Sequence, residues 1–485
     1  MSDVLLGQSY YLRFDPKLYA AMQPYPPLGT LYAASLLRAE GYDVALFDAM
    51  LADSEAEWAA ALDRAKPRFA ILFEDNFNYL SKMCLMRMRE AAFAMIGMAH
   101  QRGITVLLCG ADATDHAKQY LEQGASYVIR GEGEQTLVDL LGSLTGRASK
   151  PVADISGIAF LDEAGNLVET LPRPALRNLD SLPFPAWDLV DRERYRTIWM
   201  ARHGYYSVNM VTTRGCPYSC NWCAKPIWGQ RYNVRSPENV VAELKLIRET
   251  LAPDHIWFAD DIFGLKPGWV QHFADLLEAE GIKIPFKSLN RADLLLQADT
   301  IPALKRAGAD TIWIGAESGS QKILDAMDKG TQVEDIYETT VRLKAAGIRV
   351  GFFLQFGYLG ETREDIAKTI QMVRDLLPDD IGISVSYPLP GTKFYERVKS
   401  ELGGKTNWQD SDDLAMLYHG PYSTDFYRQL HTVIHKEYRA RKTLKRLSGG
   451  TLRPWRPADV RQFGAMVYHT VTLPAARAKL NALDH

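Results

Sequence analysis

Short apolar runs alternate with longer segments of helical periodicity along the first 150 residues. The apolar runs lie at residues 4–7, 43–48, 69–73, 105–109 and 126–130. Helical periodicity predicts helices over residues 28–40, 55–64, 80–101, 113–122 and 134–142. This alternation predicts an α/β, doubly wound, Rossmann-like domain over residues 1–150. Such sheets bind ligands at the carboxyl ends of their strands, so we expect a crevice beside the loops after Gly7, Phe73 and Cys109.

A different pattern occupies residues 151–200. Two short apolar runs, 155–160 and 167–171, flank the turn-forming residues 162–165 and predict a hairpin. Prolines at 172, 174, 183 and 185 then favour extended chain over either regular element. We interpret this segment as a connector between two domains.

The strand and helix alternation restarts after residue 200. Strands are predicted at residues 208–213, 255–259, 285–289, 311–315, 350–356 and 382–387, with helices between them at 237–251, 267–280, 333–346 and 363–377. Six such units predict a partial (β/α)6 TIM-like barrel over residues 201–400, whose active face is the carboxyl ends of its strands. Residues 401–485 are predicted to be a helical C-terminal extension.

Composition places the chain among ordinary folded proteins. Hydrophobic residues make up 47% of the 485 positions and charged residues 24%, and the length suits several domains. No apolar stretch reaches the length of a spanning helix, and the first residues lack the layout of a signal peptide. We therefore expect no transmembrane segment and a cytoplasmic protein.

Charge is unevenly distributed. The formal net charge is −3, which gives no general nucleic-acid footprint, so no nucleic-acid partner is expected. Residues 428–485, however, hold 12 Lys and Arg against 3 Asp and Glu. This basic element fits a lid that contacts an anionic substrate, and it also fits a helical extension packed on the barrel with a solvated cationic face.

Three of the five cysteines, Cys216, Cys220 and Cys223, fall in one eight-residue window just past a predicted strand. The other two, Cys84 and Cys109, lie in apolar runs and are interpreted as small core residues. Thiolates at this density are typical ligands of iron–sulfur centres. A structural zinc site would need a fourth Cys or His nearby. Three ligands leave one iron of a cubane open, so we predict a catalytic metal site.

The CxxxCxxC spacing, with Trp222 beside the last cysteine, resembles the radical S-adenosylmethionine superfamily. The resemblance implies that Cys216, Cys220 and Cys223 hold a 4Fe–4S cluster. It implies that S-adenosylmethionine binds the fourth iron through its amino and carboxylate groups, and that electron transfer cleaves it to a 5′-deoxyadenosyl radical. Trp222 is then a cofactor contact.

Further segments match the family's cofactor-binding elements. After the fourth strand, Glu317 and Ser318 stand where the family contacts the ribose or methionine part; a simple helix N-cap led by Ser318 is the alternative. Pro390, after the sixth strand, matches the region that supports the adenine, or marks a tight turn.

The second strand departs from the family pattern. Instead of Gly-Gly-Glu the sequence has Asp260 and Asp261, and the resemblance implies that one of them holds the amino group of the cofactor. Arg291, just past the third strand, is a candidate partner of the cofactor carboxylate or a surface salt bridge.

The order of the two domains resembles the cobalamin-dependent branch of the superfamily, whose N-terminal domain binds vitamin B12. The lower-ligand signature Asp-x-His-x-x-Gly of the cobalamin mutases is absent, so a histidine ligand to cobalt is not expected. Glycines before a helix allow close approach of a ligand. The residues that the resemblance places beside cobalamin are Asn76, Phe77, Asn78, Gly110, Gly131 and Glu132.

The sequence thus predicts an enzyme that functionalises an unactivated carbon of a small-molecule substrate, most simply by C-methylation. Oxidative ring closure, as in anaerobic magnesium-protoporphyrin monomethyl ester cyclase, is the alternative within the branch. Radical modification of transfer RNA is a rival, but residues 1–200 have too few cysteines for the usual second cluster. A cobalamin or metal carrier is the non-enzymatic alternative. A reductant such as flavodoxin or ferredoxin is the expected partner.

Overall fold

The computed structural model describes residues 2–83, 85–225, 227–297, 299–404, 407–448 and 457–483. The first part of the chain forms a seven-stranded sheet. Its strands are β1 (Val4–Gly7), β2 (Val44–Leu46), β3 (Phe69–Phe73), β4 (Thr105–Cys109), β5 (Tyr127–Ile129), β6 (Ile158–Leu161) and β7 (Leu167–Glu169). Their order is β2-β1-β3-β4-β5-β6-β7, and the first five are parallel. The predicted hairpin, β6 and β7, adds to this sheet in antiparallel fashion.

Helices cover both faces of this sheet, which confirms the doubly wound architecture. They are α1 (Pro16–Ala21), α2 (Leu28–Ala39), α3 (Ala56–Ala65), α4 (Tyr79–Met83), α5 (Met86–His100), α6 (Ala111–Asp115), α7 (Ala117–Glu122) and α8 (Glu134–Leu144). A further helix, α9 (Arg192–His203), follows the proline-bearing connector.

Two predicted helices are each split in two. The prediction of one helix over residues 80–101 is wrong because Leu85 is extended (φ −56°, ψ 144°) and the Met86 amide donates to the Trp408 carbonyl at 2.8 Å. Cys84 lies outside the described residues. The helix predicted over 113–122 begins at Ala111 and breaks at His116, whose φ is −126°. Both breaks depend on tertiary context that local periodicity does not carry.

The second part of the chain forms a six-stranded parallel sheet, an open half-barrel. Its strands are β8 (Ser207–Met210), β11 (His255–Phe258), β12 (Phe286–Asn290), β13 (Ala309–Glu317), β14 (Arg349–Phe356) and β15 (Asp380–Val385), each beside the next in chain order. The predicted strand 208–213 is divided, because the amides of Thr212 and Thr213 donate to Asp260 rather than to a neighbouring strand. A small antiparallel pair follows, β9 (Thr213–Arg214) and β10 (Asn233–Val234).

Helices pack on the convex face of the half-barrel. They are α10 (Pro237–Thr250), α11 (Trp269–Ala279), α12 (Ala292–Leu295), α13 (Thr300–Arg306), α14 (Gln321–Ala326), α15 (Val333–Ala345), α16 (Arg363–Leu376) and α17 (Lys393–Val398). Alternate strand residues such as Ile312, Ile314 and Phe352 are fully buried against them. The intervening residues face the concave side.

The C-terminal extension is a helical hairpin. It consists of α18 (Thr424–Ser448) and α19 (Pro457–Ala482). Glu437 on α18 binds Arg374 on α16 at 2.6 Å and Arg477 on α19 at 2.6 Å, so one buried carboxylate ties both helices to the barrel. No helix in the described part of the chain combines the length and apolarity needed to cross a membrane.

The N-terminal domain contacts the concave side of the half-barrel directly. The Tyr25 hydroxyl lies 3.2 Å from the Ser207 hydroxyl, and Asn209 Nδ2 donates to the Pro26 carbonyl at 3.1 Å. These contacts join the segment before α2 to the first strand of the half-barrel.

Candidate functional site

The three-cysteine loop connects β9 to β10 at the carboxyl edge of the half-barrel. It begins at Gly215, whose φ is +80° and whose place could not hold a side chain, because a Cβ there would lie 2.5 Å from the Arg231 carbonyl oxygen. Glycine is therefore required to turn the chain from the small β9–β10 pair into the loop.

Cys216, Cys220 and Cys223 are partly exposed free thiols. Burial raises the pKa of Cys216, and it raises the pKa of Cys223 to about 12. Burial of Cys216 and Cys223 thus favours their protonated form, and a metal centre would displace those two protons. Within the described residues, no three His, Cys, Asp or Glu side chains converge to bind one metal ion. A 4Fe–4S cubane does not need three side chains around one metal ion, since each thiolate binds a separate iron.

Asn221, between the second and third cysteines, anchors the loop to the barrel. It is 3% exposed, its amide donates to the Met327 carbonyl at 3.0 Å, and its Nδ2 donates to the Ala326 carbonyl at 2.7 Å. The Tyr358 hydroxyl donates to Asn221 Oδ1 at 2.6 Å, and the Phe394 amide donates to its carbonyl at 2.9 Å. Asn221 thus binds the loop to the end of α14, the loop after β14 and the start of α17.

Glu317 ends β13 in an unusual backbone conformation. Its φ is +56°, and the register with β14 shifts between Gly315 and Glu317. Non-glycine residues rarely adopt this conformation, which clusters at functional sites. Lys329 Nζ donates to Glu317 Oε1 at 2.8 Å in a buried ion pair. Burial alone would lower the pKa of Lys329, but the charge of Glu317 opposes this effect and the pKa is raised.

Asp260 and Asp261 have different environments. Asp260 is 1% exposed and accepts four hydrogen bonds, from the amides and hydroxyls of Thr212 and Thr213, at 2.7 to 3.0 Å. Burial nevertheless raises its pKa to about 6. Asp261 is more exposed and pairs with Lys82 of the N-terminal domain at 2.5 Å. Asp260 therefore serves the loop's backbone, and Asp261 is the better placed to contact a ligand.

Arg291 is buried rather than at the surface. It binds Asp293 at 3.0 Å, donates to the Gly330 carbonyl and the Thr331 hydroxyl, and lies 3.7 Å from the centre of the Tyr218 ring. Because Tyr218 belongs to the three-cysteine loop, Arg291 contacts that loop through the Tyr218 ring.

The remaining barrel candidates take different places. The Ser318 hydroxyl accepts from the Ser320 amide at 3.1 Å, so it orders the turn before α14. Trp222 packs edge-on against Tyr387 with ring centres 6.1 Å apart, and its Nε1 is buried with no hydrogen-bond partner among the described residues. Pro390 lies in the loop after β15, three residues past Tyr387.

Residues 76–78 of the N-terminal domain face the barrel. The Phe77 ring stacks on Trp228, which lies in the three-cysteine loop after Cys223, with ring centres 4.9 Å apart. Asn76 Oδ1 is buried with no partner among the described residues, while Asn78 Oδ1 accepts from the Leu80 amide at 3.0 Å. An orphaned amide oxygen beside an aromatic pair fits a large ligand bearing amide donors, as cobalamin does.

The carboxyl edge of the first sheet contains a small cleft. Its lining includes Ser9, Glu74, Leu108, Gly110 and Tyr120. Gly110 has no room for a side chain, since a Cβ would lie 2.8 Å from Glu74 Cγ. Burial raises the pKa of Glu74 to about 7. The cleft lies where a doubly wound sheet binds its ligand.

Gly131 and Glu132 lie in the loop after β5. Gly131 has φ +75° and open space around its Cα, which fits close approach of a ligand. Glu132 is instead engaged by Arg214, and Glu134 binds Arg214 at 2.7 Å. Arg214 lies two residues before Cys216. The buried group formed by Arg214, Glu132 and Glu134 therefore joins the loop after β5 to the start of the three-cysteine loop.

Sequence reasoning missed Arg214, Asn221 and Lys329. Two of these residues could have been found from the sequence, because Arg214 lies just before the cysteine motif and Asn221 lies inside it. Lys329 carries no periodic or motif signal, because its partner Glu317 is twelve residues away and only the fold brings them together.

Comparison with known families agrees with this arrangement. Residues 20–141 match the B12 binding domain, and residues 210–373 match the radical SAM superfamily. The chain contains both domains and is a cobalamin-dependent radical S-adenosylmethionine enzyme, which confirms the resemblance. These domains imply a 4Fe–4S cluster, S-adenosylmethionine and cobalamin as cofactors.

Individual relatives point to two chemistries. An uncharacterized methyltransferase of Pyrococcus horikoshii is 26% identical over 389 residues, covering 79% of this chain and 81% of the relative. The anaerobic magnesium-protoporphyrin IX monomethyl ester cyclase of Rubrivivax gelatinosus is 25% identical over 386 residues, covering 79% and 67%. Among solved structures, the cobalamin-dependent enzyme OxsB with aqua-cobalamin and S-adenosylmethionine bound has the same fold, with a TM-score of 0.73 at 18% identity, covering 98% of this chain and 72% of OxsB.

Proposed function

We propose that this enzyme methylates an unactivated carbon of a small-molecule substrate. The observation that carries the proposal is the meeting of the three-cysteine loop with residues 76–78 of the B12-binding domain, through the Phe77–Trp228 stack. When bound, the cluster and S-adenosylmethionine supply a radical that abstracts hydrogen, and cobalamin supplies the methyl group.

The chain's own residues hold and orient these groups. Cys216, Cys220 and Cys223 hold the cluster, and Asn221 fixes the loop that carries them. Asp261 accepts from the amino group of S-adenosylmethionine.

Glu317 accepts from the ribose hydroxyls of S-adenosylmethionine, while Lys329 holds that carboxylate in place. Arg291 supports the same site through Tyr218.

On the cobalamin side, Asn76 offers its orphaned Oδ1 to an amide donor. Phe77 would pack its ring against the bound cobalamin. Gly131 leaves space for close approach, whereas the Glu74 side chain already fills the space beside Gly110.

The concave face of the half-barrel offers a surface for the substrate. Trp313 and Phe353 stack with ring centres 4.7 Å apart and an interplanar angle of 28°, and Phe353 is 39% exposed. The rings lie flat because Gly351 and Gly382 stand beneath them; a Cβ at Gly351 would lie 2.5 Å from the Trp313 ring. A flat aromatic floor favours a substrate with an apolar or ring-containing body.

Lys287 lies near this floor and adds positive charge. Its Nζ is 4.8 Å from the Trp257 ring centre, and burial lowers its pKa to about 8. It makes no ion pair with any described residue. An anionic group on the substrate would find a partner here.

Oxidative cyclisation is the second candidate. The relationship to the Rubrivivax gelatinosus cyclase, which extends over 79% of this chain, favours it as an alternative use of the same site. A small reductant protein such as flavodoxin or ferredoxin would supply the electron in either case.

The test is anaerobic reconstitution with iron, sulfide, cobalamin and S-adenosylmethionine, followed by mass analysis of metabolites extracted from cells with and without the gene. Methylation predicts a product one CH2 heavier than its precursor. Loss of hydrogens with gain of oxygen would refute methylation and support cyclisation.

Variants make this test specific. Cys220→Ala should abolish product formation, whereas Cys109→Ala, which removes a thiol outside the loop, should retain it. Phe353→Ala should lower product formation and leave substrate-free cleavage of S-adenosylmethionine intact.

A further inference from the structure

The last helix exposes an apolar stripe to solvent. Along α19, side chains at helical spacing are exposed by 56%, 40%, 41%, 59% and 71%; they are Val460, Phe463, Val467, Tyr468 and Val471. On the opposite side of the helix, Ala476 and Leu480 are buried against the rest of the protein. The spacing of three and four residues places the exposed group on one face about 16 Å long. A soluble helix that packs on one side normally exposes polar residues on the other.

The helical hairpin that carries this stripe is strongly basic. Helices α18 and α19 hold ten Lys and Arg and three Asp and Glu, a net charge of +7 in a chain whose total is −3. The acidic residues are already engaged, since Glu437 binds Arg374, Arg441 and Arg477. The excess positive charge is therefore available on the surface.

Basic side chains lie directly beside the apolar stripe. Lys436 Nζ is 4.5 Å from the centre of the Tyr468 ring and donates to the Thr472 hydroxyl at 2.8 Å. Arg439 and Lys445, both exposed, make no ion pair with a described residue. Apolar and cationic groups thus share one surface of the hairpin.

We propose that this surface docks the enzyme on an anionic lipid bilayer, with α19 lying in the plane of the interface. Valine and aromatic side chains on one helix face would enter the headgroup region, and the flanking cations would pair with lipid phosphates. Charge complementarity favours an anionic bilayer over a second copy of the chain, because two copies would bring two +7 hairpins together.

The experiment uses the full-length protein and two kinds of vesicle. Wild type should co-sediment with vesicles of phosphatidylcholine and phosphatidylglycerol mixed equally, and much less with pure phosphatidylcholine. Binding should weaken as salt rises, because the cationic contribution is screened. Failure to bind the anionic vesicles at low salt would overturn the proposal.

Matched variants separate docking from general hydrophobicity. Val467→Asp combined with Val471→Asp should lower binding to the anionic vesicles about tenfold or more, since it places charge in the interface. Val341→Asp is the control, because Val341 is a valine 61% exposed on α15, outside the hairpin. Equal binding by wild type and the double variant would overturn the proposal.

A third measurement addresses the other occupants of the stripe. Light scattering without vesicles should give the same oligomeric state for wild type and for the double variant. A dimer dissociated by Val467→Asp and Val471→Asp would assign the stripe to self-association and overturn membrane docking. Thermal unfolding of each variant should match wild type, because both valines lie outside the core.

Discussion

Substitution of Asn221 by alanine tests how the three-cysteine loop is positioned. The change removes two buried side-chain hydrogen bonds, the 2.7 Å bond to the Ala326 carbonyl and the 2.6 Å bond from the Tyr358 hydroxyl. Tyr358 still donates to Ala326 at 3.0 Å, so neither partner is left entirely unpaired. At about 1 kcal/mol per bond, plus the space left behind, the loop should lose about 2–3 kcal/mol.

That loss should appear as a less firmly held cluster. A change of about 2–3 kcal/mol corresponds to about 30- to 150-fold in a local opening equilibrium. We expect reconstituted Asn221→Ala to release iron to a chelator faster than wild type by a factor approaching this range. The rate is measured anaerobically from the decay of the cluster absorbance.

Gln230→Ala is the matched control. Gln230 also binds the same loop, donating to the Pro217 carbonyl at 3.0 Å, but it does so at the surface, where the bond contributes little. Wild-type rates of iron release from Asn221→Ala would refute the positioning role. Equal acceleration by both variants would show that any contact to the loop matters, rather than the buried anchor.

Three further predictions concern stability. Burial raises the pKa of Glu361 to about 8, so the native state keeps a proton that the unfolded chain releases above about pH 4.5. The wild type therefore loses stability as pH rises between these two values, by ~1.4 kcal/mol per pH unit and up to a few kcal/mol in total. Glu361→Gln lacks this loss, so its unfolding temperature should exceed that of wild type by a growing margin as pH goes from 5 to 9. Arg214→Met should cost about 3–5 kcal/mol in urea unfolding because it strands two buried glutamates, and converting both to glutamine in the same protein should restore most of the loss. Asp260→Ala should lower the free energy of unfolding by about 3 kcal/mol or more, since it leaves two buried threonine amides without an acceptor. Asp261→Ala should change the free energy of unfolding by no more than about 1 kcal/mol, and calorimetry should show weaker binding of S-adenosylmethionine.

The overall architecture could be predicted because periodicity reports burial. Strands such as β3 and β4, buried on both faces, appear as uninterrupted apolar runs, and parallel pairing follows from the helices between them. The cysteine spacing predicts a metal-binding loop from local sequence in the same way, since all three thiols lie within one short segment. Features of this kind are local in sequence.

The parts that could not be predicted depend on contacts distant in sequence. The break at Leu85 follows from a hydrogen bond between Met86 and Trp408, and the division of β8 from β9 follows from Asp260, about fifty residues downstream. The pairing of Lys329 with Glu317 needs the β13 bulge to aim the carboxylate. No pattern within a helix or strand encodes such contacts.

The most direct test of the account is electron paramagnetic resonance of the reconstituted, reduced protein with and without S-adenosylmethionine. The account predicts about four irons per chain. It also predicts a cluster signal that shifts when S-adenosylmethionine is added, and cleavage of S-adenosylmethionine to 5′-deoxyadenosine that Cys220→Ala abolishes. A bound zinc ion, a signal indifferent to S-adenosylmethionine, or full cleavage activity in Cys220→Ala would contradict it.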